Sequence, residues 1–325
     1  MTRAAAVLVV LAGCAPARPA LRAPIPVEAG RACVAGLGCV AYQARGQAAR
    51  DAGGRVGNAV VVLTAFGYGE DIDALWPGLV GAGRALDPAR RLVVGVAFER
   101  GPDGALPRGD AAVALLDRFL DERAIDRRAP LLGAASYGAE LALRALGAGV
   151  VRGPVLACGG HDRPFEEPAM RRVRAALADP EPFAAVARAM VPASYGPGYL
   201  DDPRSAREHA LPEGTPLAAA LAARMAAHLA AHTSLDALAA RMDSAFALEA
   251  SPIAYPPLGG RRVVLVANRD DLMMTIARVR DLAARLRARG ADVELVELDD
   301  RLGHSAFFGR TPPALVAAAR ALVGR

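Results

Sequence analysis

Leu131-Leu132-Gly133-Ala134-Ala135-Ser136-Tyr137-Gly138-Ala139 is the stretch on which the reading of this 325-residue chain turns. An apolar run enters a turn of small residues, exposes one hydroxyl and leaves as a helix. A serine on so sharp a strand-to-helix turn sits in a strained backbone conformation, so the residues two before and two after it must be small; here they are Ala134 and Gly138. Glycine is usual in both places, and alanine in the first is a departure. Taken alone, the string also fits a serine at a strand end packed against a helix, and the downstream residues decide between the two.

Arg262-Val263-Val264-Leu265-Val266-Ala267 reads as a buried strand, with Asn268-Arg269-Asp270-Asp271 just past its end and a helix from about Thr275 to Arg289. Next come an alternating strand, Val293 to Leu298, and a loop carrying Gly303-His304. The order is Ser136, Asp270, His304, each expected at the carboxyl end of its own strand. That order and placement are those of a serine-acid-histidine triad on an α/β-hydrolase fold. Alone, Asp270 would read as a helix N-cap and His304 as a loop histidine.

Working outward, strands are expected at Val40 to Ala44, Asn58 to Thr64, Arg91 to Ala97, Pro130 to Ala134 and Gly153 to Ala157. Helices are expected at Asp110 to Glu122 and Tyr137 to Leu146. This alternation implies a mostly parallel central sheet with helices on both faces. Between residues 161 and 255 the pattern is helical, around Pro168 to Leu177, Phe183 to Met190, Leu217 to Ala231 and Leu235 to Leu248. We read that block as an inserted cap over the site. The core is then residues 30–160 and 256–325, and 53% hydrophobic content is enough to fill it.

The N-terminal segment has an address of its own. Arg3 precedes an apolar stretch ending Leu11-Ala12-Gly13-Cys14, too short to span a bilayer and similar to a bacterial lipoprotein signal in which Cys14 is lipidated. Residues 1–14 are therefore expected to be a signal, 15–29 a Pro/Ala-rich tether, and the protein exported and membrane-anchored. In an oxidising compartment Cys33 and Cys39 are candidates for a disulfide, because Gly36 and Gly38 let the segment between them turn; Cys158 reads as a buried thiol.

All 39 basic residues are arginine, and the net charge is +5. The arginines alternate with acids and aromatic residues are only 5% of the chain, which argues for a solvated surface and against a nucleic-acid partner. His228 and His232 lie four apart on an expected helix without a third ligand at suitable spacing, so no metal is assigned. No phosphate-binding glycine pattern follows a strand, and no cofactor is expected.

Taken in order, the motifs resemble the homoserine O-acetyltransferases of the α/β-hydrolase superfamily. Val40-Ala41-Tyr42, Asn58-Ala59-Val60 and Leu63-Thr64 resemble that family's opening strands and oxyanion loop. Trp76-Pro77-Gly78-Leu79-Val80-Gly81 is similar to its Trp-x-Gly-Leu-Ile-Gly segment, and Ala223-Arg224-Met225 with His228 to a cap helix. Asp270-Asp271-Leu272 resembles its acid motif and Gly303-His304-Ser305-Ala306-Phe307 its histidine motif. The resemblance implies an oxyanion amide at Leu63 and a carboxylate-binding role for Arg224. It also marks departures: Glu99 to Gly104 replaces a longer glycine-rich stretch, and Ser305 stands where the family has an aspartate for the substrate's amino end.

In the resulting expectation His304 takes the proton of Ser136 as it attacks an acyl carbonyl, Asp270 orients the imidazole, and the Tyr137 N–H helps bind the oxyanion. The substrate is a small acyl ester, and the acceptor is water or an alcohol. Two other readings are a true homoserine O-acetyltransferase using acetyl-CoA and a non-catalytic ligand-binding lipoprotein.

Overall fold

The computed structural model describes residues 27–64, 70–99, 107, 109–134, 136–160, 162, 168–209, 211–212, 214–232, 234–236, 238–239, 253–307 and 310–324. An eight-stranded sheet runs through it: β1 (Val27–Val34), β2 (Gly38–Arg45), β3 (Ala59–Leu63), β4 (Leu92–Phe98), β5 (Leu131–Gly133), β6 (Val155–Cys158), β7 (Arg262–Asn268) and β8 (Asp292–Leu298). Their spatial order is β1-β2-β4-β3-β5-β6-β7-β8. β1 and β2 pair antiparallel, as do β2 and β4, and every pairing from β4 to β8 is parallel. The carboxyl ends of β3, β5, β6, β7 and β8 therefore share one edge, where open α/β sheets hold their ligands.

The side-chain period of two sorts the strands onto two cores. Val61, Leu63, Leu131, Val155, Val263 and Leu265 face a layer with α2 (Gly109–Glu122), α3 (Tyr137–Gly147) and the helix α9 (Ile276–Ala288). Val60, Val62, Leu132, Leu156, Val264 and Val266 face the other, with α1 (Ile72–Leu75) and α10 (Pro313–Val323). Both faces are covered, as a parallel sheet requires.

Between β6 and β7 the described elements are helices, among them α4 (Pro168–Ala175), α5 (Pro182–Ser194), α6 (Pro197–Leu200), α7 (Pro203–Glu208) and α8 (Leu217–His232). The helix expected at Leu235 to Leu248 falls largely outside the described residues. The chain leaves and re-enters the core at neighbouring points, since the Ile253 N–H donates to the Asp162 carbonyl at 2.9 Å.

The amino end differs from expectation. The tether was expected to reach residue 29, but β1 begins at Val27 and opposes β2 in a hairpin. As an exposed edge strand it carries no apolar alternation to read. Its register sets Cys33 opposite Cys39, with Cα atoms 4.1 Å apart and the sulfurs joined. The signal segment and Cys14 lie outside the described residues.

Candidate active site

Ser136 lies just past β5 and forms the N-cap position of α3 with φ 62° and ψ −110°, a conformation outside the regions open to an ordinary L-residue. Holding a non-glycine there costs about 1 to 3 kcal/mol, so packing must enforce it. Two glycines do so. A Cβ on Gly138 would stand 2.5 Å from the Leu63 carbonyl oxygen, and one on Gly133 2.5 Å from that of Gly138. The Ala134 N–H donates to the Leu63 carbonyl at 2.9 Å, closing the turn onto β3. Although serine is a favoured N-cap, the Ser136 side chain makes no capping hydrogen bond. Cys158, at the end of β6, is fully buried and its thiol is pushed well above its ordinary range by burial.

The acid beside the histidine is Asp271, one residue beyond the expected Asp270. His304 Nδ1 and Asp271 Oδ2 are 2.7 Å apart and both side chains are buried. The other carboxylate oxygen, Asp271 Oδ1, accepts the N–H groups of Met273 and Met274, each at 2.8 Å. Those bonds compensate the carboxylate's burial and fix its direction. Asp270 points elsewhere. Its N–H donates to Asn268 Oδ1 at 3.0 Å, and its Cβ packs against Gly196 of the insertion. The reason is the turn after β7: the Asp271 N–H returns to the Asn268 carbonyl at 3.2 Å, which swings the second aspartate toward the sheet edge.

His304 sits in the 3-10 turn Gly303–Phe307. Its ring lies 3.4 Å from where a Cβ on Gly159 would be, just beyond β6, and so between the ends of β5 and β7. Phe307 packs edge-on to it at 6.1 Å, and the Phe307 carbonyl accepts from the buried Trp76 indole N–H at 3.2 Å. The tryptophan segment thus ties the chain after β3 to the histidine loop. In the sequence Trp76 is visible only as part of a motif; the contact over 231 positions reveals its role.

Leu63 does not fit an oxyanion role. It is a β3 residue paired with Gly133, and the register that sends its carbonyl to Ala134 turns its N–H toward β5 as well, committing both groups to the sheet. Residues 65–69, which follow Thr64, lie outside the described residues. Tyr137 opens α3, where N–H groups have no acceptor within the helix. Its side chain is buried, its hydroxyl donates to the Pro107 carbonyl at 3.1 Å, and burial raises its pKa. Arg224 is exposed on α8, with its guanidinium 3.4 Å from the His209 carbonyl, and no described contact joins it to Ser136, Asp271 or His304. The side chains of His228 and His232 are outside the described part.

The sheet order, the covered faces and the helical insertion define an α/β-hydrolase fold. Solved structures share it over nearly the whole chain, three of them as follows. Homoserine O-acetyltransferase from Bacillus anthracis superposes with a TM-score of 0.69 at 11% identity, covering 92% of this chain and 98% of that one. Esterase E22 gives 0.68 at 15% over 92% and 99%, and the acetyl esterase MekB 0.67 at 16% over 93% and 97%. At these identities the likeness is one of fold. No family model and no curated protein matches the sequence.

Proposed function

We propose that this protein is a serine-dependent acyl-ester hydrolase or acyltransferase working through an acyl-Ser136 intermediate. The observation that carries the reading is the strained, uncapped Ser136 on the same sheet edge as the buried Asp271–His304 pair. With Nδ1–H donated to Asp271, His304 Nε2 carries the lone pair. Nε2 takes the Ser136 proton as Oγ attacks the acyl carbon. The tetrahedral intermediate expels the alcohol, which receives that proton from His304. Water or a second alcohol then attacks the acyl-serine, giving its proton to Nε2, and Ser136 leaves with it. Asp271 stabilises the transient imidazolium, and the Tyr137 N–H stabilises the oxyanion. This chemistry calls on no cofactor or metal.

Hydrolysis, or transfer from a donor other than acetyl-CoA, suits the chain better than homoserine acetylation. Ser305 brings no charge for an ammonium group, and Arg224 is exposed on the insertion. The insertion between β6 and β7 serves as the cap. Anchoring through a lipidated Cys14 places the protein outside the cytosol, away from acetyl-CoA, and the Cys33–Cys39 disulfide suits an oxidising compartment.

A fluorophosphonate probe tests the serine. Labelling of the wild type that vanishes in Ser136→Ala is expected. Folded protein that never labels would favour a non-catalytic binder, and acetyl transfer from acetyl-CoA to homoserine at the rate of ester turnover would restore the acetyltransferase.

A further inference from the structure

Asn268, the last residue of β7, is fully buried and spends its amide on both halves of the site. Its Oδ1 accepts the Asp270 N–H at 3.0 Å, inside the turn that aims Asp271. Its Nδ2 donates to Asp300 Oδ1 at 2.5 Å, and the same oxygen accepts the Leu302 N–H at 3.1 Å, two residues before His304. The acid turn and the histidine loop come from different strand ends, so their relative placement rests on whatever spans them. Backbone bonding between these strands ends with the Arg269 N–H on the Leu298 carbonyl at 3.0 Å. Beyond that point the described polar ties across the gap are the solvent-exposed Arg269–Asp299 ion pair at 3.6 Å, the Asp271–His304 bond itself and the Asn268–Asp300 bridge, of which the bridge starts from a fully buried side chain.

We propose that Asn268 is a positioning residue that sets the Asp271–His304 geometry through Asp300. The proposal rests on the triad reading of the site. An amide is needed there because Asn268 must accept on one side and donate on the other. A carboxylate could do only the first while ionised.

That asymmetry supplies a test. In Asn268→Asp, two carboxylate oxygens face each other at the bridge and cannot both be charged at that distance without a shared proton. A crevice of about 760 Å3 lined in part by Asp300, Arg301, Asp202 and Arg310 opens beside the pair, so the proton can exchange with solvent. The charges around it are Arg269 and Asp270 from the β7 end, Asp299 and Arg301 from the β8 loop, and Asp202, Arg204, Glu208 and Arg310 lining or flanking the crevice. Arg301 and Arg204 pair with Asp202, Arg310 with Glu208, and Arg269 with Glu297 and Asp299.

The experiment measures the rate constant for Ser136 labelling by a fluorophosphonate across pH 5 to 9 on the full-length protein, with near-ultraviolet circular dichroism at each pH. N268D should react within a few fold of wild type while the pair shares its proton. It should then slow as pH rises, reaching a deficit of about 100-fold at the alkaline end. Asp300→Asn keeps an acceptor for both donors and should follow the wild type. N268D/D300N, with only one carboxylate, should lose the alkaline fall. An N268D profile parallel to wild type, whether equal or uniformly lowered, overturns the bridge. If N268D does not fold, Asn268→Ser decides: a tenfold or greater loss of kcat on p-nitrophenyl acetate with little change in KM supports the bridge, and wild-type kcat overturns it. Labelling that persists in Ser136→Ala defeats the triad reading instead, independently of the bridge.

Discussion

Four residues after Ser136, in the first turn of the elbow helix, Glu140 is buried to 3% exposure and hydrogen-bonded to Arg144 at 2.6 Å. Burial raises its pKa from 4.5 to about 7; Arg144 opposes the rise and Asp162 adds to it. The folded chain therefore binds this proton more tightly than the unfolded chain. Over the interval between those two values the native state holds more protons, so stability falls as pH rises and levels off above about 7. From 4.5 to about 7, at 1.36 kcal/mol per pH unit, the loss comes to about 3 kcal/mol. A glutamine in place of Glu140 would have the same shape and no ionisation. Denaturant unfolding of wild type and Glu140→Gln at pH 5, 6, 7 and 8, at constant ionic strength, isolates the effect, because every other titrating group cancels in the difference. The difference should move in favour of the glutamine by about 2.5 kcal/mol between pH 5 and 8, the first part of the loss having already occurred by pH 5. The site should feel it too, since the Glu140 N–H donates to the Ser136 carbonyl at 2.9 Å. Parallel stability curves would mean that Glu140 is ionised throughout and that Arg144 outweighs burial, refuting the reasoning.

Asp271→Asn should lower kcat on p-nitrophenyl acetate by about 10^4-fold by removing the acceptor that fixes the His304 tautomer, while Asp270→Asn stays within a few fold; the reverse order would return the acid role to Asp270. Gly303 adopts φ 60°, and a Cβ there would stand 2.8 Å from the Gly196 nitrogen and 3.0 Å from the Ser194 oxygen. Gly303→Ala should therefore cost about 2 to 4 kcal/mol in an unfolding titration, and a loss below 1 would contradict that crowding. Reducing Cys33–Cys39, a loop closed over a sequence separation of 6, should destabilise by about 2 kcal/mol, seen as a lower melting temperature; unchanged melting would mean that β1 is held by its ladder alone. Metabolic labelling with radioactive palmitate should mark the wild type and not Cys14→Ala, and fractionation should move the variant out of the membrane; equal labelling would remove the anchor.

The fold was legible because burial on two sides writes itself into sequence. The apolar strands alternate between two cores, and the helices between them carry one buried stripe each. The elbow was legible for a steric reason, since few residues other than glycine fit where α3 crosses β5. What was hidden lies where direction matters more than composition. Asp270 and Asp271 are adjacent and identical in type, and only the turn after β7, with the Met273 and Met274 amides waiting for one of them, selects the second. Leu63 stood near the right strand end, but a strand residue's N–H belongs to the ladder. β1 left no trace because it is an edge strand with little to bury; Gly30 is there because a Cβ would fall 2.5 Å from the Tyr42 hydroxyl.

The insertion's contact with the site limits how it can move. Gly196 follows α5, and a Cβ on it would stand 2.6 Å from the Arg301 carbonyl oxygen and 2.7 Å from the Asp270 Cβ. Gly303, from the histidine loop, makes its close approach to Gly196 and Ser194 in return, and to the Asp270 carbonyl at 3.1 Å. Three backbone segments thus meet at van der Waals distance: the end of α5, the acid turn and the histidine loop. Packed interfaces of this kind have no room for small independent shifts. A motion that lifted α5 as part of a lid would pull on the two loops that hold Asp271 and His304. The base of the insertion is therefore part of the frame that fixes the pair.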